Sequence, residues 1–388
     1  MKLKLVILIL SFIFNQIGWA QDLYRFISIE KKIYQKIQPE LTFTPKVSQE
    51  NDYKIILHLT LAQIEEVSFH IHNKLKRCGG FMAHDDLNEA GIGINKVNKT
   101  INFFEYNIKK IPIVTPMLDL VSEEKIQNFI LELSRFKTRH YNSNEGVSAV
   151  NLIKNKWQEL TRHRNDVSIE LINHPGWKQP SIILTINGKE SPNDFIILGG
   201  HADSIAVDGD HAPGADDNAS GMAVLTEIIR VLVSQSYQPK KSLQFMAYSA
   251  EEIGLLGSKE IAKSYRRDKK RVLGVMQYDM TLYNGNSEKE IYLTSDYTNR
   301  SQNTFLGNLI DEYIKVPWGY TACGYACSDH SSWTMMGFSA SYPFESASEN
   351  LNPKMHTKED TIENPDYSMD LASNFVKLGI AYAIELDD

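Results

Sequence analysis

The 388-residue sequence contains only three cysteines, Cys78, Cys323 and Cys327. No disulfide framework can therefore hold the chain together, and one bridge is the most that can form within it. Basic charge is not in excess: 41 Lys and Arg stand against 48 Asp and Glu, a formal net charge of -7. That balance argues against sequence-independent nucleic-acid binding, which needs cations to neutralise phosphates. Beyond the first twenty residues there is no apolar run of membrane-helix length. What is there is ordinary globular composition, 42% hydrophobic and 23% charged, which excludes wholesale disorder and collagen-like order. The length suits two domains, or one large domain with an added segment.

The first twenty residues read as a signal peptide. Lys2 and Lys4 form a basic start, an apolar run from Leu5 to Phe14 is broken only by Ser11, and Gly18 and Ala20 are small residues before a cut after Ala20. Export to an extracellular, oxidising compartment is expected. There Cys323 and Cys327 in CGYAC could close a very small loop, which leaves Cys78 unpaired.

Residues 21–113 read as a small α+β unit, slightly basic against an acidic remainder. YKIILHLTL (53–61) predicts a strand, and the apolar spacing of 61–78 predicts a helix. GINKVNKTINFFEY suggests a hairpin. Pro112 and Pro116 suggest a linker. From residue 114 onward, helical and strand patterns alternate. The pattern implies an α/β domain (114–388) with a central, mostly parallel sheet covered by helices on both faces. Ligands in such sheets bind beyond the carboxyl ends of the strands.

The informative polar residues fall at those ends. Strand DFIILGG runs into His201 and Asp203, and the next loop carries Asp216 and Asp217. Strand SLQFMAYS precedes Glu251 and Glu252, Asp279 follows RVLGVMQY, and His356 lies far downstream. Each has an ordinary role when taken alone: an Asp pair commonly caps a helix, and a Glu pair is commonly solvated. Five convergent oxygen and nitrogen ligands suit two Zn²⁺ ions that share one carboxylate.

The motifs GGHADS, APGADDNASG, FMAYSAEEIGLLGS, MQYDMT, CGYACSDHSSW and NPKMHT resemble the M28 metallopeptidase family. The likeness is particularly to secreted bacterial leucyl aminopeptidases of the Aeromonas/Vibrio type, and it runs from about Pro116 to the C-terminus. It implies a zinc-exopeptidase-like fold and a secreted di-zinc aminopeptidase that removes the first residue of peptides and proteins through a metal-bound hydroxide. By that resemblance His201 and Asp279 hold one zinc, Glu252 and His356 the other, and Asp216 bridges them. Glu251 is the general acid/base, Asp203 orients His201, and Tyr325 lies near the substrate carbonyl. Cys323 and Cys327 form the disulfide.

Phe344, Ser348 and Met355 are expected to line the pocket for the first side chain. Ser348 stands where relatives carry a second aromatic, so leucine, aromatic and basic first residues all remain open. Asp217 reads as a cap or supporting residue, and His70 and His72 as ordinary helix residues. His211 with Asp208 and Asp210 reads as a polar loop rather than a third metal site, and His330 reads as a cleft-lining residue rather than a ligand. Two rival readings share the fold: a glutaminyl cyclase-like acyltransferase with one zinc, and a non-catalytic binding protein. The latter fits poorly with a complete ligand set. A monomer is expected. Residues 21–113 are expected to act as a removable inhibitory prodomain, with the Cys78 thiolate a candidate contact to zinc.

Overall fold

A computed structural model describes residues 24–77, 79–94, 106–285 and 287–388. The expected signal peptide, Cys78 and most of the expected hairpin lie outside these residues. Among the described residues, no helix is long and apolar enough to cross a membrane.

The N-terminal unit is a four-stranded antiparallel sheet of β1 (Tyr24–Glu30), β2 (Lys46–Glu50), β3 (Lys54–Thr60) and β4 (Phe81–His84), in the order β2-β3-β1-β4. It carries three helices, α1 (Lys31–Ile37), α2 (Leu61–Leu75) and α3 (Leu87–Ile94). A reciprocal cap starts α2. The Thr60 hydroxyl accepts the Gln63 N–H at 3.3 Å, and the Gln63 side chain accepts the Thr60 N–H at 3.0 Å. Ile64, Val67 and Ile71 recur at helical spacing and are buried with Ile27, Ile29, Leu57 and Leu59 of the sheet. Ala250, Ile253 and Leu256 of the larger unit join the same core.

The segment expected as a linker is instead helix α4 (Ile111–Leu118). Pro112 sits in its first turn, where a missing N–H leaves no intrahelical bond unmade. Val114, Met117 and Leu118 are buried in the main core, and that burial outweighs the breaker signal.

The larger unit is built on six strands in the order β12-β9-β7-β8-β6-β5. These are β5 (Val167–Ile172), β6 (Ser181–Ile186), β7 (Ser191–His201), β8 (Lys241–Tyr248), β9 (Arg271–Gln277) and β12 (Ala340–Ser341). The pairs β12–β9, β9–β7 and β7–β8 are parallel, while β6 and β5 add an antiparallel edge. Side chains alternate between two cores, as a pleat requires. Ile196, Leu198, Leu243 and Phe245 face one side, with α4, α5 (Glu123–Ser134), α6 (Asn144–Thr161) and α7 (Gly221–Ser234). Ile197, Met246 and Tyr248 face the other, with α8 (Leu256–Arg267) and α10 (His330–Met335). Helices α9 (Arg300–Leu309) and α11 (Met369–Leu386) complete the first layer. A small second sheet, β11-β10-β13, joins Trp318–Thr321, Ile291–Thr294 and Pro343–Phe344 beyond the ends of the central strands.

Candidate metal centre

Strand β7 ends at His201, Glu251 and Glu252 follow β8, and Asp279 follows β9 by two residues. All three strands are parallel neighbours, so their ends deliver these side chains to one place. His201 Nε2 lies 3.3 Å from Asp279 Oδ1 and 3.1 Å from Asp217 Oδ1. His356 Nε2 lies 2.8 Å from Asp217 Oδ2 and 3.3 Å from Glu252 Oε2. Each oxygen of Asp217 thus serves one histidine. All of these residues are buried.

Asp217, not Asp216, occupies the shared position, which corrects the expectation from sequence. The Asp216 carboxylate is turned the other way. It accepts the N–H groups of Thr281 at 3.1 Å and Leu282 at 3.0 Å, and the Asn352 amide at 2.7 Å. The turn that makes this choice is fixed from behind. Asp360 accepts the N–H groups of Asp216 and Asp217 at 2.9 and 3.0 Å, and Tyr367 donates to Asp360 at 2.6 Å. Asn218 holds the next residue, donating to Tyr278 O at 2.9 Å. Arg139, fully buried, clamps the same loop, donating to Pro213 O, to Gly214 O at 2.9 Å and to Ala202 O at 3.1 Å. Nothing in the sequence around Arg139 marks it for this role, because its partners lie over 60 residues away.

The surroundings set the charge of each group. Burial pulls the His201 imidazole down, but Asp279, Asp203 and Asp217 push it up further and leave it well above the ordinary range. Burial raises Asp217, yet the imidazoles of His201 and His356 close beside it hold it below the usual carboxylate range. Glu252 is pushed up to about 7 by burial and by the charge of Asp217. Glu251 is raised well above the carboxylate range, first by burial and then by Glu252, Asp279 and Asp329, against the pull of His201. Asp216 is raised to about 8 by burial and by Asp360. Several carboxylates packed together without cations cost free energy, which is the electrostatic mark of a cation site. Both oxygens of Asp217 and of Glu252, and the ring nitrogens of His356, find no hydrogen-bond partner. The donor set is oxygen and imidazole nitrogen, which fits zinc.

Asp203 supports the site in two directions. His201 Nδ1 faces the Asp203 carbonyl at 3.1 Å and its carboxylate at 3.5 Å. The same carboxylate accepts the N–H groups of Glu251 at 3.2 Å and Glu252 at 3.3 Å, tying two strand ends together. Asp279 is held by Ser328, which donates to its Oδ2 at 2.6 Å.

Beside the centre lies a pocket of about 240 Å³. Phe344, Ser348 and Met355 line it, with Tyr325 and the disulfide-bonded Cys323 and Cys327. Two residues of the N-terminal unit, Leu75 and Arg77, also line it, and the Arg77 guanidinium lies 3.9 Å over the Tyr325 ring. His72, at the end of α2, is buried against His356 with ring centroids 4.3 Å apart. Burial and His356 hold its imidazole well below the ordinary range, so it is neutral. The expectation that His72 is an ordinary helix residue is therefore corrected. His70, by contrast, faces Glu40 at 3.1 Å. His211 is exposed, with Asp210 paired to Lys137 and Asp208 accepting the Lys358 N–H at 2.8 Å. His330 Nε2 faces Asp296 O at 3.1 Å, and burial lowers its pKa to about 3.

Residues 181–380 match the family described as Peptidase family M28. A probable leucine aminopeptidase of Trichophyton verrucosum is 33% identical over 312 residues, covering 78% of this chain and 84% of that one. The LapA aminopeptidase of Legionella pneumophila superposes with a TM-score of 0.83 at 28% identity, over 94% of this chain and 98% of that one. A zinc aminopeptidase of Bacillus subtilis shares the fold at a TM-score of 0.57 and 16% identity, over 68% and 94% of the two chains. With the strand-end carboxylates and histidines, these likenesses settle the class: the chain belongs to peptidase family M28 and is a metallo-aminopeptidase.

Proposed function

We propose that the protein is a secreted di-zinc aminopeptidase that removes an apolar first residue, such as leucine, from peptides and proteins. The observation that carries the reading is the pair of ligand sets joined through Asp217: His201 with Asp279, and Glu252 with His356. Two sets with one shared carboxylate favour two ions over the single zinc of a cyclase-like acyltransferase. A pair of zinc ions bound there supplies Lewis acidity for the scissile carbonyl and for a water.

The remaining work falls to the chain. Glu251 adjoins the ligand Glu252 and is buried with it at the end of the same strand, so it would accept a proton from the attacking water and return it to the leaving amine. Asp203 fixes the His201 ring through Nδ1, which keeps Nε2 available for metal. Tyr325, which lines the pocket, would offer its hydroxyl to the oxygen of the carbonyl that accumulates charge. The pocket walls are mainly apolar, and none of the described residues lining it is acidic. That lining suits leucine and disfavours a basic first residue.

Residues 1–20 would direct export, and residues 21–113 would restrict the site until they are removed. The presence of Leu75 and Arg77 in the wall of the pocket supports this second role. A panel of aminoacyl-arylamides tests the whole reading. Zinc-loaded, processed protein should favour the leucine derivative and leave N-blocked substrates intact. Glu251→Gln should keep both zinc ions and lose about 10²–10⁴-fold in kcat. Wild-type turnover by a fully metallated Glu251→Gln would refute the mechanism.

A further inference from the structure

We infer that His72, carried in by the N-terminal unit, is itself a metal ligand. Its Nε2 completes the coordination of the ion held by Glu252, His356 and Asp217. The inference rests on the two-ion reading above and adds to it a fourth protein ligand from outside the catalytic unit.

Position is the first argument. His72 Nε2 lies 3.8 Å from Glu252 Oε2, and ligand atoms of His72, Glu252 and His356 all lie within 4.8 Å of one another. Two ligands at about 2.0–2.2 Å from a tetrahedral zinc stand roughly 3.3–3.6 Å apart. The His356–Glu252 separation of 3.3 Å falls within that range, and the His72–Glu252 separation lies just beyond it.

Proton placement is the second argument, and it is independent of the first. Ser68 has one hydroxyl proton and donates it to the Glu252 carbonyl at 2.6 Å. Its oxygen must therefore accept from His72 Nδ1, 3.0 Å away. With the proton on Nδ1, Nε2 carries a lone pair. That lone pair faces a carboxylate oxygen in a fully buried space, and Nε2 finds no hydrogen-bond partner. Two buried acceptors facing each other are unfavourable unless a cation lies between them. A histidine satisfied merely as a core residue would not leave this nitrogen empty.

Helix geometry explains how the chain arranges this. Ser68 and His72 are one turn apart, on the flank of the stripe Ile64, Val67 and Ile71 that anchors α2 to its own sheet. The capping box at Thr60 fixes where the helix begins, and so where His72 ends up. A ligand in this position takes a coordination site that water or a substrate amine would otherwise use. The N-terminal unit would thus be held partly by a metal–ligand bond.

The test uses the full-length protein loaded with two equivalents of cobalt(II). Each ligating imidazole bound through Nε2 gives one hyperfine-shifted, exchangeable N–H resonance. Three are expected in the wild type, from His201, His356 and His72, and two in His72→Phe. In chelator competition, one of the two ions should bind at least about 10-fold more weakly in His72→Phe, the lower end of what even supporting residues contribute. His72→Cys should restore affinity and add a thiolate-to-cobalt absorption band. Two resonances in the wild type, or an unchanged count and affinity in folded His72→Phe, would overturn the ligation and leave the two-ion reading standing. A wild type that takes up no cobalt would overturn both. Should His72→Phe fail to fold, the wild-type resonance count and the His72→Cys band still decide.

Discussion

On the proposed two-ion reading, replacing Asp217 by Asn should strip the protein of both metal ions, and replacing Asp216 by Asn should not. One Asp217 oxygen lies 3.1 Å from His201 Nε2 and the other 2.8 Å from His356 Nε2. A single substitution therefore removes a charged ligand from two sites at once. One ion is left with His201 and Asp279, the other with Glu252, His356 and whatever the N-terminal unit offers. Changing groups that only support a ligand costs about 10–100-fold in metal affinity, so losing the shared ligand should cost at least about 100-fold per ion, or ~2.7 kcal/mol. Asp216 accepts two backbone N–H groups and the Asn352 amide. Disturbing that network should cost about 1–3 kcal/mol of folding stability, with metal affinity changed less than about 10-fold. The assay is zinc content after equilibration with a competing chelator, read beside a denaturant unfolding curve for each variant. Two zinc ions retained by Asp217→Asn, with loss in Asp216→Asn, would refute the assignment and restore the sequence-based one.

Other expectations are equally open to measurement. Lys259 is buried between the two units, donating to Ala83 O at 2.6 Å, and burial lowers its pKa to about 8 from 10.5. Below pH 8 both folded and unfolded chains hold the proton, so the cost of burying the charge is fully present; between pH 8 and 10.5 the folded chain releases it first. The stability of the wild type relative to Lys259→Met should therefore rise across that window by roughly 3 kcal/mol, and a flat difference in urea unfolding would dismiss the argument. Cys323 and Cys327 should resist alkylation without reductant, while two modified thiols at those positions by intact mass would refute the pairing. Limited proteolysis that removes residues 21–113 should raise kcat/KM, because Leu75 and Arg77 leave the pocket; unchanged kinetics would rule out inhibition.

Much of the architecture is legible because it follows from periodicity. The apolar strands at 181–186, 241–248 and 271–277 and the striped helix at 221–234 appear where hydrophobic spacing calls for them. The N-terminal unit was harder to read. YRFISIE of β1 mixes Arg25 and Ser28 into its pattern, and its partners β3 and β4 lie about 30 and 60 residues away. Prolines misled at 111–118, where local propensity favours a linker but Val114 and Met117 find a core. Propensity is a weak prior against burial of that kind.

The site errors have a different origin. Strand ends are legible from hydrophobic runs, and they bring up His201, the pair Glu251 and Glu252, and Asp279; the family resemblance, not the spacing, singles out Glu252 as the ligand of that pair. Asp216 and Asp217 occupy an irregular turn with no period, so which of the two carboxylates faces inward depends on distant supports. Asp360 is 143 residues away in sequence and Asn352 is 136. His72 poses the same problem from the opposite side. Its helix, its cap and its buried stripe are all visible in the sequence, and so is its place beside Ser68, one turn before it. What that flank meets is visible only once Glu252, 184 residues beyond Ser68, is brought against it. A buried polar flank next to a complete apolar stripe is thus a usable signal: the stripe already accounts for the helix's own core, so the histidine beside it must be satisfied by something outside the unit.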